Sequence, residues 1–379
     1  MTKKIKLLFL VNNDHYFCSH RLPLALSAKS SGYEVIVVTR LRDHGSIITN
    51  NGFKAINLHF TRAYKNIVKD FIVLLRLIWI YVTEKPDIVH HVGLKACLFG
   101  SVASVFVRKT KNINAITGLG YLFISQTLLT RIIRNLIKPF LRVLLKRKKS
   151  WVIFQNTEDM NLFIKNNIAR RDKSVLIAGS GVDTSLYVPY HENTTQKNVV
   201  MLASRMLKHK GIIEFVNAAK RCHEINLGLR FVLVGPIDQD NPTAISEQQI
   251  KLWADDGIIE WWGERKNMHE VLHEADIVCL PSYREGLPKI LLEAAACGLP
   301  IITTDTPGCR EVVENNKSGF LIPVGDDIRL AEAIATLAKS QKQSSEMGRV
   351  GRSIVCQKFS IELVVEKTLG IYKKALEIN

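Results

Sequence analysis

The stretch Ile277-Val-Cys-Leu280 followed by Pro281-Ser-Tyr-Arg-Glu-Gly-Leu-Pro-Lys-Ile-Leu-Leu-Glu-Ala-Ala-Ala-Cys-Gly298 decides the reading of this sequence. A short apolar run stopped by a proline marks a buried strand. Glu285-Gly286 is a turn, Pro288 suits a first helical turn, and Gly298 stops the helix that Leu291–Ala296 continues. Strand, polar loop and helix make the repeating unit of a parallel α/β sheet. Ligands bind such sheets at the carboxyl ends of the strands. The free N–H groups of the helix start attract phosphate there. Glu285 precedes the helix and Glu293 sits two turns into it. As a site, one carboxylate accepts from sugar hydroxyls near the phosphate and the other grips a ribose. As structure, Glu285 is a helix-start charge and Glu293 a solvated helix residue. Residue chemistry alone leaves both readings open.

Working outward, Ala203-Ser-Arg-Met-Leu-Lys-His-Lys-Gly-Ile212 follows another apolar run, Val199–Ala203, and leads into a helix. Arg205 and Lys210 there are cations placed to neutralise a diphosphate, or ordinary surface charges. Lys208 and His209 read as loop residues. Val234-Gly235-Pro236 and Trp262-Gly263-Glu264 end two more strands on the same edge, and their glycines let a flat base approach the backbone. The remaining second-half strands are Phe231–Val234, Ile258–Trp261, Ile301–Thr304 and Gly319–Ile322. The first half has candidates at Ile5–Val11, Glu34–Thr39, Ile88–His91, Ile113–Ile116, Trp151–Gln155 and Val175–Ala178. Val- and Ile-rich runs without polar alternation fit sheets covered on both faces. Twelve strands are many for one open sheet, so the expected fold is α/β with two Rossmann-like, doubly wound domains facing a central cleft. The boundary falls at Gly179-Ser-Gly-Val-Asp183 and the polar residues 189–197. The expected division is residues 1–180, residues 181–358, and a helix in residues 359–379 that packs back on the first domain.

The chain has 379 residues and a formal net charge of +17. Residues 1–180 hold 29 basic and 9 acidic residues, a net of +20, and the rest nets −3. No acidic residue lies between Asp87 and Glu158, while twelve Lys and Arg do. Such asymmetry implies different partners for the two halves. The seven cysteines form no CxxC pair, which reads as buried thiols in a reducing cytosol. The N-terminal apolar run reads as a strand rather than a signal peptide. The apolar stretch Phe71–Val82, broken by Arg76, is too short to span a bilayer.

The combination of Glu285 and Glu293 in the Pro-Ser-Tyr-x-Glu-Gly phrase, Arg205…Lys210-Gly211, Gly179…Gly181-Val-Asp183 and Pro307-Gly-Cys-Arg-Glu311 resembles family 4 of the retaining glycosyltransferases. That resemblance implies the GT-B fold and a nucleotide-sugar donor in the C-terminal domain. By match of motif, Arg205 and Lys210 would hold the diphosphate. Glu285, with the backbone of Gly286 and Leu287, would contact the donor sugar, and Glu293 would take the ribose. Glu285, Arg205 and Lys210 are the expected catalytic set. Gly235, Gly263 and Glu264 complete the expected donor site. The family generally needs no metal or other cofactor, and uridine is the nucleotide it suggests. Asp238-Gln-Asp240 is the only DxD spacing and reads as a loop.

With His20-Arg-Leu-Pro23 and Thr117-Gly-Leu-Gly120 added, the sequence is similar to bacterial enzymes that add an N-acetylhexosamine to a polyprenyl-diphosphate-linked sugar, as in O-antigen, capsule and N-glycan assembly. The resemblance departs from the family at two places. Asn12-Asn-Asp-His-Tyr16 stands where a Gly-Gly turn is common, and Thr117–Gly120 carries no histidine. Acceptor or cleft candidates are therefore Asn13, His15, His20, Arg21, His90, His91, Gly118 and Gly120. His90 and His91 end a strand and are expected to face the cleft, unless they merely pack.

Residues 126–149 bring Arg131, Arg134, Lys138, Arg142 and Lys146 to one helix face, with Leu and Ile over much of the rest and Pro139 as an expected kink. A basic amphipathic segment of this kind suits an anionic membrane surface. A lipid-linked acceptor implies such docking, peripheral to the inner face of the cell membrane. The expected activity is transfer of a sugar from a UDP-sugar with retention. The alternatives are a nucleotide-sugar epimerase of the same fold and a non-catalytic membrane-binding protein. A nucleic-acid partner is disfavoured, because the basic stretch has few aromatics for stacking and no known binding motif.

Overall fold

The computed structural model describes residues 4–60, 67–119, 128–189, 198–239 and 241–377. The chain divides into two units: Met1–Ser180 with Glu362–Asn379, and Gly181–Ile361.

The first unit holds a seven-stranded parallel sheet of β1 (Lys6–Asn13), β2 (Glu34–Arg40), β3 (Lys54–Asn57), β4 (Ile88–Val92), β5 (Lys111–Ile116), β6 (Ser150–Phe154) and β7 (Ser174–Leu176). Their order is β3-β2-β1-β4-β5-β6-β7. The central strands are apolar on both faces because helices cover both; Leu7, Leu8, Phe9 and Leu10 are all fully buried. β3 had no sequence signal. Its Lys-Ala-Ile-Asn run is short, half exposed and paired only to β2, so it needs little hydrophobicity. Helix Ile361–Leu376 adds Val364, Ile371, Tyr372 and Ala375 to this unit's core.

The second unit holds a six-stranded parallel sheet of β8 (Val199–Ala203), β9 (Arg230–Val234), β10 (Glu260–Trp261), β11 (Ile277–Leu280), β12 (Ile301–Thr304) and β13 (Gly319–Ile322), ordered β10-β9-β8-β11-β12-β13. β10 is shorter than the apolar run from Ile258. Ile258 and Ile259 instead close the turn after helix Glu247–Asp255, where both N–H groups donate to the Trp253 carbonyl. Where the chain leaves and re-enters the first unit, Val182 bridges to Ser360 in parallel, and Gly181 lies so close to Ile361 that a side chain would collide with backbone.

In both sheets the first strand of the unit is flanked by the second on one side and the fourth on the other. The winding therefore reverses between β1 and β4 and between β8 and β11. The helices that follow those strands diverge there, which leaves a crevice at the carboxyl edge.

Candidate functional site

In the second unit this reversal brings two loops together. The loop after β8 makes a tight turn, Lys208–Lys210, and enters helix Ile212–Glu224 through Gly211 at φ +78°. A Cβ on Gly211 would lie 2.2 Å from the Pro281 carbonyl oxygen, so glycine is the residue that lets this loop pass over the end of β11. The loop after β11 answers with the Tyr283 N–H donating to the His209 carbonyl at 3.0 Å. Alongside, Lys210 Nζ lies 2.5 Å from Glu285 Oε1, with side chains only 17% and 12% exposed. The Pro307–Arg310 turn supports the pair from below. Gly308 sits against the carbonyls of Glu285 and Gly286, where a Cβ would clash. Burial, and next the Glu285 charge, push the Cys309 thiol up to about 11, so it is an inert packing group.

Helix Lys289–Ala296 starts at Pro288 with no side chain capping it. Glu293 on this helix is buried rather than solvated, because Tyr187 Oη donates to its Oε1 at 2.8 Å and Lys289 pairs with the same oxygen at 2.8 Å. Burial and the Glu293 charge raise the Tyr187 pKa, which keeps the phenol protonated as a donor. Arg205 pairs with Asp238 at 2.5 Å and is 41% exposed. Gly235 and Gly263 meet directly, the Gly235 N–H donating to the Gly263 carbonyl at 2.7 Å. Glu264 is exposed beside them. A cavity of about 580 Å³ opens at this outer end of the sheet, lined by Trp262, Arg265, Lys266, Asn267, Glu270, Val271 and Glu274. Gly286 and Leu287 are half-buried between Glu285 and the helix.

The first unit's candidates scatter more. Asn13 caps helix Asp14–His20, accepting from the Tyr16 N–H at 2.7 Å. Its neighbour Asp14 is buried and accepts from the N–H groups of His15, Arg42 and His44, fixing the loop after β1 without glycines. His15 is exposed and meets His44; His20 stacks on Tyr16. Arg21 is buried, with one guanidinium nitrogen on the Gly179 carbonyl and Nε without a partner among the described residues. Gly118 adopts φ +133° and is half-buried; Gly120 lies outside the described residues.

His90 and His91 correct the expectation of an open edge. They are 1% and 0% exposed and point to opposite faces of β4, as alternation along a strand requires. His90 stacks on Phe9 and bonds Tyr372 at 2.5 Å; His91 bonds Tyr81 and Asn114 and fills the space above Gly100. Burial lowers both pKa values, that of His91 to about 4.

Sequence reasoning missed two partners of the site. Tyr187 had no motif around it; only the fold brings it to Glu293. Asp238 reads from the sequence as a loop residue, yet it holds Arg205. In the basic stretch, helix Leu128–Leu145 runs through Pro139 without dividing. Leu141 and Leu145 are buried, and Arg142 and Lys146 reach Asn166 and Asn167. Two of its cations therefore also serve packing.

Two Rossmann-like parallel sheets, each with a winding reversal at its carboxyl edge, make a fold of the GT-B class. The chain belongs to the glycosyltransferases: residues 188–354 match the glycosyl transferases group 1 family and residues 6–156 the glycosyl transferase 4-like family. Relatives include the Campylobacter jejuni N,N'-diacetylbacillosaminyl-diphospho-undecaprenol alpha-1,3-N-acetylgalactosaminyltransferase, 25% identical over 94% of this chain and 95% of that one. An Escherichia coli UDP-Gal:alpha-D-GlcNAc-diphosphoundecaprenol alpha-1,3-galactosyltransferase is 24% identical over 81% of this chain and 80% of its own. Among solved structures, Anabaena HepE in complex with UDP and glucose superposes with a TM-score of 0.78 at 18% identity, covering 98% of this chain and 100% of that one, a likeness of fold.

Proposed function

We propose that this protein moves a sugar, an N-acetylhexosamine, from a UDP-sugar to a sugar carried on a polyprenyl diphosphate, with retention at the anomeric carbon, in bacterial surface-glycan assembly. The observation that carries this reading is the Lys210–Glu285 pair at the reversal point of the second sheet. The names of the relatives, which act on diphosphoundecaprenol-linked sugars, support the acceptor class.

In this reading the donor diphosphate displaces Glu285 from Lys210 and Asp238 from Arg205, so that both cations face the departing charge. The free N–H groups at the start of helix Lys289–Ala296 add to that stabilisation. Glu285, released, accepts from hydroxyls of the donor sugar. Glu293, already oriented by Tyr187, takes the ribose. The Gly235–Gly263 contact and Glu264 border the base. The acceptor hydroxyl attacks on the leaving-group face: its oxygen bonds to the anomeric carbon, the bond to the diphosphate breaks, and a phosphate oxygen takes the proton. No protein nucleophile and no metal enters the step. The first unit holds the acceptor side, with half-buried His20 as its phosphate-facing residue. The chain works as a peripheral protein on the inner face of the cell membrane, with residues 126–149 supplying cations to the lipid surface.

The test is a panel of nucleotide sugars against a synthetic polyprenyl-diphosphate sugar, with anomeric configuration read by NMR. An α-linked product from an α-linked UDP-sugar supports the reading. Consumption of donor without acceptor points to an epimerase, and an inverted product rejects retention.

A further inference from the structure

Helix Ile67–Glu84 is apolar on two opposite faces. Leu77, Ile80 and Tyr81 point inward and are buried. Val68, Phe71, Ile72, Leu75, Trp79 and Val82 are 45–68% exposed. At 3.6 residues per turn, these six positions fall within an arc of about 100° directly opposite the buried face. So wide and continuous an apolar stripe is not ordinary solvent-facing surface. The helix cannot roll to hide it. Asp70 pairs with the buried Lys95 at 2.7 Å, and Glu84 at the other end pairs with Lys54 at 2.7 Å. Those pairs also draw the helix's only two carboxylates away from the outer face. The short turn Ser104–Phe106, which packs beside this helix, exposes Val105 and Phe106 and runs on to exposed Arg108 and Lys109. Lys69 and Arg76 are exposed on one flank of the stripe.

We propose that helix Ile67–Glu84 is the element that enters an anionic bilayer surface, lying in the plane of the interface with Phe71, Ile72, Leu75 and Trp79 among the acyl chains. The inference deepens the functional reading by naming the membrane-contacting element, and rests on it only for the purpose such contact serves. Charge decides the occupant. The stripe is bordered by cations and lies in the half of the chain that nets +20, with no acidic residue between Asp87 and Glu158. A second copy would bring two such surfaces face to face, whereas anionic lipid complements them. Interfacial helices of this design sink about 5–10 Å, and a tryptophan suits that depth. Among the described residues no helix is long and apolar enough to cross a membrane, so the helix lies on the surface rather than spanning it. On helix Leu128–Leu145 the described outward apolar residues are Phe140 and Val143.

The test is flotation of the full chain with vesicles of equal parts phosphatidylcholine and phosphatidylglycerol, together with Trp79 emission. Wild type floats, and its emission shifts to the blue; Trp79→Phe loses the shift but still floats. Phe71→Ser with Leu75→Ser lowers the partition by roughly tenfold or more while the melting temperature holds, because both side chains already face water. Lys138→Gln with Arg142→Gln lowers it less and mainly at low salt. Unchanged flotation of the Phe71/Leu75 variant overturns the proposal. So does a chain that dimerises without vesicles and becomes monomeric in that variant. Flotation needs no donor or acceptor, so loss of the glycosyltransfer reading and loss of this one appear in separate assays.

Discussion

Lys210 Nζ stands 2.5 Å from Glu285 Oε1, and with the Tyr283–His209 backbone bond this contact ties the loop after β8 to the loop after β11. The two residues are 75 positions apart in sequence and share a site because the sheet's winding reverses between their strands. Each charge is held by the other, so the pair is a structural staple, and in the proposed reaction it is also where the donor diphosphate competes.

Glu285→Ala is expected to lower kcat by roughly 10²–10³-fold or more, the scale of losing one placed electrostatic partner. The pair is mostly buried, so leaving Lys210 without its partner also lowers the unfolding free energy, by about 3 kcal/mol. Steady-state kinetics beside a urea melt separate the two effects. A variant with wild-type turnover removes Glu285 from the mechanism.

Tyr187→Phe deletes one hydrogen bond to Glu293 and no other polar contact of that carboxylate, since Lys289 remains. A loss of about 1 kcal/mol should appear as a several-fold rise in the KM for donor, with kcat nearly constant. A fall in kcat at unchanged KM would argue that Tyr187 acts elsewhere.

Gly211→Ala combines a left-handed backbone with a direct clash on Pro281, whereas Gly228→Ala meets a similar backbone, φ +62°, in open space. The first is expected to cost about 3 kcal/mol or more and the second about 1 kcal/mol. Urea denaturation of both compares steric contact with backbone strain alone. Equal losses would show that Gly211 matters only for its φ.

Acid should weaken the first unit through β4. Burial holds His90 and His91 neutral in the folded chain, with His91 titrating at about 4, while unfolded histidine titrates near 6.5. Between those values the unfolded state binds protons that the folded state refuses, so stability falls as pH falls from about 6.5 towards 4. His91 contributes a slope approaching about 1.4 kcal/mol per pH unit in that window, and His90 acts in the same direction. Urea midpoints measured from pH 7 to pH 5 should drop, and less steeply in His91→Gln. An identical slope in that variant would exclude His91 as a source.

Much of the fold was legible because parallel strands covered on both faces must be apolar runs. Ile277–Leu280, Ile301–Thr304 and Val199–Ala203 coincide with strands to the residue. β3 escaped because an edge strand paired on one side needs no such run. The candidate-site motifs of the second unit were legible as local grammar: strand, glycine turn, charged residue, helix. What grammar did not carry was partnership. Nothing near Tyr187 announces Glu293, and Asp238 looked like a loop acid. His90 and His91 looked alike, yet a period of two sends them to opposite layers. The outer stripe of helix Ile67–Glu84 was hidden for the opposite reason, since both faces are apolar and periodicity does not say which one is covered.

By itself, then, the sequence determined the alternation of strands and helices, the two-sheet class, the charge division and the order of motif residues, because these depend on neighbours a few positions apart. Only the tertiary structure decided which charges meet, which histidines are sealed and which apolar face is left outside. Those outcomes depend on strand order and on long-range pairs such as Lys210–Glu285 and Asp70–Lys95, which local chemistry permits but does not select.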